Sequence, residues 1–397
     1  MINLMFGMIF DKEYPSKIDE LNNRYNDKCR ITETYSSMRY GDTKLPTARP
    51  DFRLKQITWD ELEWYIKELN KYNIEFNYTM NGVDIGDLKT FDNNLPDFIN
   101  SVKRLESIGV KRFTIAHPLI VEIATKHTNV PIELSTIMHI DSLQIIKVWR
   151  DISKNIDKIC LNLYKNRDIG FVKRMNEVCD KYNMKLEVMA NEFCNISGAP
   201  CEGIYRDSCY LLHCKNQEEN DAKKFGNYPW GRCIVSRGYD SVAWLNAKTI
   251  PPNDIIKYKQ NTNVNNFKIT CRTAPMEFAL FLAENYLSCK YDGLLAGLWL
   301  HLQGSTIASR KNFERLQKMY DVVPISCQKM SELNEIIYKN SNGEFVKEKM
   351  TFFDRYFNDQ AYVCDEYEDV DKKDEDLREW EDNYVYKWSK IANLMND

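Results

Sequence analysis

The feature that most restricts the fold of this chain is a regular alternation of short strand-like runs with amphipathic helical patterns. The strand-like runs fall at 2–10, 30–36, 74–78, 112–116, 132–136, 158–163, 185–190 and 266–270. Helical patterns at 16–25, 58–70, 95–108, 119–127, 141–155, 168–182, 252–259 and 276–287 interleave with them. Thr58 and Glu61 stand three apart at the head of one helix, the spacing of a capping box. About eight strand–helix units predict an α/β fold that closes as a TIM-like (β/α)8 barrel. A doubly wound open sheet is the competing architecture, because periodicity reports which face is buried and not whether the sheet closes. At 397 residues the chain can hold one large domain with an appendage. We expect a barrel domain over 1–325 and a helical, acidic extension over 326–397.

The ends of the predicted strands are polar. Asn77, Asn81, His117, Ser135, His139, Asn162, Asn166, Arg167, Asp168, Asn191, Glu192, Lys268 and Arg272 all fall within a few residues of one. In a barrel they would line the mouth at the strand C-termini, where sites of this fold gather. The plainer alternative is that Asn, Asp and Ser cap the next helices and turns. As a set, they favour a shared polar pocket. His117, His139, Glu192 and Arg272 are the candidate catalytic residues, the histidines for proton transfer. Asn77, Asn81, Arg206 and Lys268 are candidate substrate-binding residues, with Arg206, Lys268 and Arg272 suited to an anionic group.

Between residues 191 and 233 lie five of the twelve cysteines, Cys194, Cys201, Cys209, Cys214 and Cys233. A small buried hydrophobe has no reason to recur in a loop rich in Gly, Asn and charge, whereas a thiolate-ligated metal needs sulfurs to converge. The Cys194–Cys201 spacing is wider than a zinc knuckle, and ligands spread along a loop suit a 4Fe-4S cluster better than zinc, which is the alternative. Free thiols, including a Cys214–His213 nucleophile, are the remaining reading. No C-x3-C-x2-C run is present.

Net charge of −4 gives no general pull toward nucleic acid or anionic membrane, so an RNA partner is not supported by charge, though not excluded by it. No apolar run reaches the ~18 residues of a membrane span. The apolar opening at 1–10 lacks a cationic lead and reads as a strand, not a signal peptide. Clustered thiols without an export signal point to a reducing compartment, the cytoplasm. Beyond residue 325 the alternation stops: 331–338 and 345–357 look helical, and 365–382 holds eleven acids. Trp380, Tyr384, Tyr386 and Trp388 suggest an end that docks back on the barrel or meets a partner subunit or second copy.

Asn191-Glu192-Phe193-Cys194, Pro200-Cys201, Arg206-Asp207-Ser208-Cys209, Arg232-Cys233, Ile250-Pro251-Pro252-Asn253-Asp254 and Phe267-Lys268-Ile269-Thr270-Cys271-Arg272 together resemble the collagenase-like peptidase U32 family. The resemblance covers most of residues 1–300 and is most specific between 160 and 290. It implies a TIM-barrel-like fold. The family includes oxygen-independent hydroxylases of ubiquinone precursors and of tRNA uridine, several with a four-cysteine 4Fe-4S cluster. By match to that pattern the metal ligands are Cys194, Cys201, Cys209 and Cys233, with Cys214 as the alternative to Cys209. Cys271 stands where the family usually has Gly and becomes a spare thiol near the site. The implied substrate is a small molecule or a carrier-bound group. A U32-type peptidase or hydrolase is a second reading, although H-E-x-x-H and G-x-S-x-G are both absent. A metal-stabilised barrel serving as subunit or scaffold is a third.

Overall fold

The computed structural model of the chain describes residues 1–192, 248–298 and 327–339, apart from residues 26, 50, 52, 53, 87 and 294. Eight parallel strands close into a barrel in chain order. They are β1 (Ile2–Gly7), β2 (Cys29–Ser36), β3 (Glu75–Met80), β4 (Arg112–Ile115), β5 (Ile132–Leu134), β6 (Ile156–Cys160), β7 (Lys185–Met189) and β8 (Asn266–Ile269). The helices between and after them are α1 (Tyr14–Arg24), a short α2 (Tyr40–Thr43), α3 (Trp59–Lys71), α4 (Leu88–Ser107), α5 (Pro118–His127), α6 (Ile145–Ile152), α7 (Ile169–Lys181), α8 (Ile255–Thr262) and α9 (Met276–Ser288). Pairing of β8 with β1, from Asn3↔Asn266 to Phe6↔Ile269, decides for the closed barrel over the open sheet.

The core lies between the barrel wall and the helix layer. Leu4 and Phe6, Phe76 and Tyr78, Phe113 and Ile115, Leu186 and Val188, and Phe267 and Ile269 are the outward positions of five strands, and all are buried. Against them sit Ile18, Leu62, Ile66, Leu105, Val121, Val172, Met175 and Leu282 from the helices. Each such side chain contributes roughly 1.5–3 kcal/mol of burial, so alternate strand positions must be apolar for the helices to pack.

The capping box forms as its spacing predicts: Glu61 N donates to Thr58 Oγ1 at 3.2 Å and Thr58 N donates to Glu61 Oε2 at 2.7 Å. Helix boundaries differ where local signals mislead. The pattern at 95–108 begins at Leu88, with Pro96 inside the helix, because Phe91 packs into the core and a proline removes only one backbone donor. The pattern at 252–259 begins at Ile255, since Pro252–Asp254 forms a 3-10 turn instead.

A tenth helix, α10 (Cys327–Lys339), contains the predicted segment 331–338 and docks on the barrel. Asp254, buried in the 3-10 turn, accepts hydrogen bonds from Ser331 Oγ and, at 2.6 Å, from Asn334 Nδ2. Lys257 and Glu335 pair beside it at 3.3 Å. The predicted helix at 345–357, the acidic run at 365–382 and the aromatic end lie outside the described residues. No helix among the described residues is long and apolar enough to cross a membrane.

Candidate functional site at the barrel mouth

Inside the barrel the strands turn polar residues toward the axis. Lys158 Nζ lies 2.7 Å from Glu33 Oε2, 3.1 Å from Glu187 Oε1 and 3.6 Å from Glu133 Oε2. Lys268 Nζ lies 2.9 Å from Glu133 Oε1 and 3.9 Å from Glu187 Oε2, and 4.6 Å above the Tyr35 ring. Arg112 bridges Glu33 and Asp157, each at 2.7 Å. Asn77 Nδ2 donates to Glu33 at 2.7 Å and Glu133 at 2.9 Å, while its Oδ1 accepts from Thr114 at 2.8 Å.

Within the barrel three buried carboxylates, Glu33, Glu133 and Glu187, share these cations with Asp157 and Glu75 at the edge, so carboxylates outnumber cations. That excess falls on Glu187, whose carboxyl is pushed up to about 7 by burial and by neighbouring Glu133. Its Oε2 has no hydrogen-bond partner among the described residues. Burial works against the Glu33 charge too, but Lys158 and Arg112 outweigh it and hold that carboxyl down to about 2. Burial likewise opposes the Lys158 charge, and Glu187, Glu33 and Glu133 keep it ionised.

Above this belt, at the strand C-termini, most polar residues cap the next turn or helix. His117 Nδ1 accepts from Leu119 N at 3.2 Å, Asn162 Oδ1 accepts from Tyr164 N at 3.2 Å, Ser135 Oγ accepts from Ile137 N at 3.3 Å, and Asp168 Oδ1 accepts from Phe171 N at 3.1 Å. Burial lowers the His117 pKa and favours the neutral ring, whose Nδ1, as the acceptor from Leu119 N, leaves Nε2 to carry the proton. His139 caps a 3-10 turn in the left-handed conformation and stacks on Tyr164 with centroids 6.4 Å apart. Asn81 Oδ1 accepts from Ala48 N at 3.2 Å and ties the end of β3 to the loop before α3.

Gly7 matters at this rim, since a Cβ there would lie 2.2 Å from Arg272 N. That close approach brings the chain after β8 over the end of β1, and Arg272 Nη1 donates to Ser37 Oγ at 3.4 Å. Cys271, beside it, is buried and its thiol is pushed up to about 12 by that burial.

Of the residues chosen from sequence, His117, His139, Asn81, Glu192 and Arg272 stand at the strand C-termini. Asn77 and Lys268 lie below the rim, buried in the belt, where Glu33 and Glu133 take their polar atoms. Arg206 and the ligands Cys194, Cys201, Cys209 and Cys233, with Cys214, lie outside the described residues.

The two ends of that cysteine-rich segment are nevertheless fixed. Ile250 N donates to Ala190 O at 2.8 Å, and Thr249 Oγ1 donates to Glu192 O at 2.8 Å. Asn166 Nδ2 spans Met189 O at 2.8 Å and Lys248 O at 3.1 Å. Asn191 straps the end of β7 to β8, accepting from Thr270 N at 2.7 Å and donating to Thr270 O at 3.1 Å. Residues 193–247 therefore leave and rejoin the barrel at one point on its rim, the C-terminal end of β7.

The described cysteines, Cys29, Cys160, Cys179, Cys271, Cys289 and Cys327, are free and dispersed over different elements, so they do not supply a four-thiolate centre. Among the described residues one group, Glu133, Cys160 and Glu187, has ligand atoms all within 4.8 Å of one another and could hold a metal ion. Lys158 and Lys268 already pair with its carboxylates, and burial holds the Cys160 thiol well above its ordinary pKa.

A closed (β/α)8 barrel with a polar mouth and a long excursion after its seventh strand is the class of protein these features define. Residues 47–279, more than half of the chain, match peptidase family U32, and the chain belongs to that family. Among solved structures, the U32 peptidase Mk0906 aligns with 13% identity and a TM-score of 0.35 over 48% of this chain and 69% of its own. A GH113 beta-1,4-mannanase aligns with 12% identity and a TM-score of 0.38 over 73% of this chain and 98% of its own. An O-GlcNAc hydrolase from Thermobaculum terrenum aligns with 12% identity and a TM-score of 0.33 over 99% of this chain and 84% of its own. Likenesses this distant carry no argument about activity. No curated protein matches the chain.

Proposed function

We infer that this U32-family chain is an iron–sulfur protein that catalyses or assists an oxygen-independent redox modification, a hydroxylation, of a small-molecule or carrier-bound substrate. The observation that carries this reading is the tethering of residues 193–247 by the Ala190–Ile250 and Glu192–Thr249 hydrogen bonds at the rim of the mouth. Cys194, Cys201, Cys209 or Cys214, and Cys233 all belong to that segment, and they are the residues that would hold a 4Fe-4S cluster. When bound, the cluster would supply electron transfer to the substrate.

The chain's own residues bind and orient. Arg272, with Arg206 from the tethered segment, would hold an anionic group on the substrate. Asn81 and Glu192 would orient it from the ends of β3 and β7. His117, with Nδ1 occupied by its cap, would present Nε2–H for proton transfer. The peptidase reading rests on the family's name and finds no hydrolase motif in the sequence.

The test is turnover under strict exclusion of oxygen. Products that gain one oxygen atom under nitrogen support the reading; cleavage of peptide bonds, or oxygenation that requires dioxygen, contradicts it. Arg272→Ala is expected to weaken binding of an anionic substrate about ten- to a hundredfold, the worth of a charged hydrogen bond, with an unchanged circular dichroism spectrum. Unaltered affinity would remove the anion clamp.

A further inference from the structure

We propose that Cys29 and Cys289 form a reversible disulfide, driven by a low-molecular-weight disulfide such as glutathione disulfide, that staples the last barrel helix to the second strand. Their sulfurs lie 3.3 Å apart although 260 positions separate them in sequence. Cys29 opens β2 and is fully buried, whereas Cys289 is half-buried at the C-cap of α9. At that cap the backbone is left-handed, with φ of 55°, a conformation that Gly or Asn adopts more readily than Cys. Both residues sit at the strand N-terminal face, away from the mouth.

The two thiols are unequal in the way a disulfide exchange requires. The hydrogen bond the two sulfurs share, with either able to donate, and burial raise the Cys29 pKa, while that contact and the nearby Lys28 charge lower the Cys289 pKa. Cys289, half-buried where Cys29 is fully buried, is the thiol that glutathione disulfide can reach and the attacking thiolate. It displaces one glutathione thiolate and carries the other as a mixed disulfide. Cys29 then loses its proton and attacks the Cys289 sulfur, releasing the second glutathione. Two protein thiols are oxidised and one glutathione disulfide is reduced to two thiols. The product would join β2 to α9 across the seam where the last strand meets the first, since α9 packs on both α1 and β2. Constraining so long a loop disfavours the unfolded chain.

The experiment exposes the full chain to glutathione disulfide under anaerobic conditions, blocks remaining thiols with N-ethylmaleimide, and maps peptides by mass spectrometry. The expected result is a linked pair of peptides containing Cys29 and Cys289, two hydrogens lighter than the reduced pair and separated again by dithiothreitol. In Cys29→Ser the reaction should stop with glutathione on Cys289, and in Cys289→Ser Cys29 should stay unmodified. The thermal midpoint should rise on oxidation of the natural chain and not of Cys289→Ser. Two blocked thiols at Cys29 and Cys289 in the natural chain, with glutathione only on other cysteines, would overturn the proposal. That peptide map is decisive even if a variant folds poorly. An unchanged thermal midpoint in a chain shown to be linked would overturn the staple.

Discussion

Inside the barrel, Glu33, Arg112, Glu133, Lys158, Glu187 and Lys268 pair with one another between 2.7 and 3.9 Å. At the mouth, His117, Ser135, Asn162 and Asp168 turn back to cap the elements next in the chain. Both regions are polar, yet each consumes most of its polar atoms in holding the fold. The chemistry proposed above draws on the rim, on Arg272, Asn81, Glu192 and His117 Nε2, together with the cysteines of 193–247. A buried belt that sustains the barrel is thus distinct from the rim at which Glu192 and Lys248, the residues flanking 193–247, are fixed.

The largest expected effect lies in the belt. Lys158→Met leaves Glu33 and Glu187 without their shared cation and should cost roughly 3–5 kcal/mol, the usual penalty for breaking a buried ion pair on one side, measured by urea unfolding. A loss below about 1 kcal/mol, the scale of an exposed pair, would mean the belt is solvated and the contrast with the mouth is false.

Glu187 sharpens the same point through pH. Its carboxyl titrates at about 7 in the folded chain against an ordinary 4.5, so the folded state holds a proton that the unfolded state has already lost between those values. Stability should therefore fall as pH rises from about 5 to about 7. Glu33, held down to about 2, acts the other way and only below pH 4.5, where its stabilisation fades as pH falls. Glu187→Gln should flatten the slope between pH 5 and 7 and leave the variant more stable than the natural chain at pH 8 by on the order of 1–3 kcal/mol. Parallel slopes in the two proteins would place the titration elsewhere.

At the rim, Asn191→Ala removes three hydrogen bonds to Thr270 and should cost about 1–3 kcal/mol by leaving buried backbone groups unsatisfied. Hydrogen exchange should then quicken at Thr270. The smallest effect is expected far from both regions, where Thr58→Ala removes the α3 cap for about 1 kcal/mol.

Much of the scaffold was legible because helix and strand periods are local. The eight strands are found within a few residues of their expected places, and Thr58 and Glu61 form the box their spacing announced. Closure was expected from the count of eight units, but periodicity could not exclude an open sheet, since the pairing of Asn3 with Asn266 depends on register across the whole chain. The belt left a faint signal: a lone charge within an apolar run, as in Ile132-Glu133-Leu134, Leu186-Glu187-Val188 and Phe267-Lys268-Ile269. Partners such as Lys158 and Glu33 stand 125 positions apart, so sequence could not pair them. Asn77 lies in the belt because β3 runs to Met80, two residues past its expected end, and Lys268 because its inward side chain reaches down to Glu133, a direction that sequence does not give.

The most direct measurement is the iron and sulfide content and absorbance spectrum of the full chain purified anaerobically, compared with Cys201→Ser in the tethered segment and Cys160→Ser in the belt. The account predicts about four iron and four sulfide per chain with a broad band near ~400 nm, lost in Cys201→Ser and retained in Cys160→Ser. Stoichiometric zinc, no metal, or iron that vanishes with Cys160 instead would contradict it.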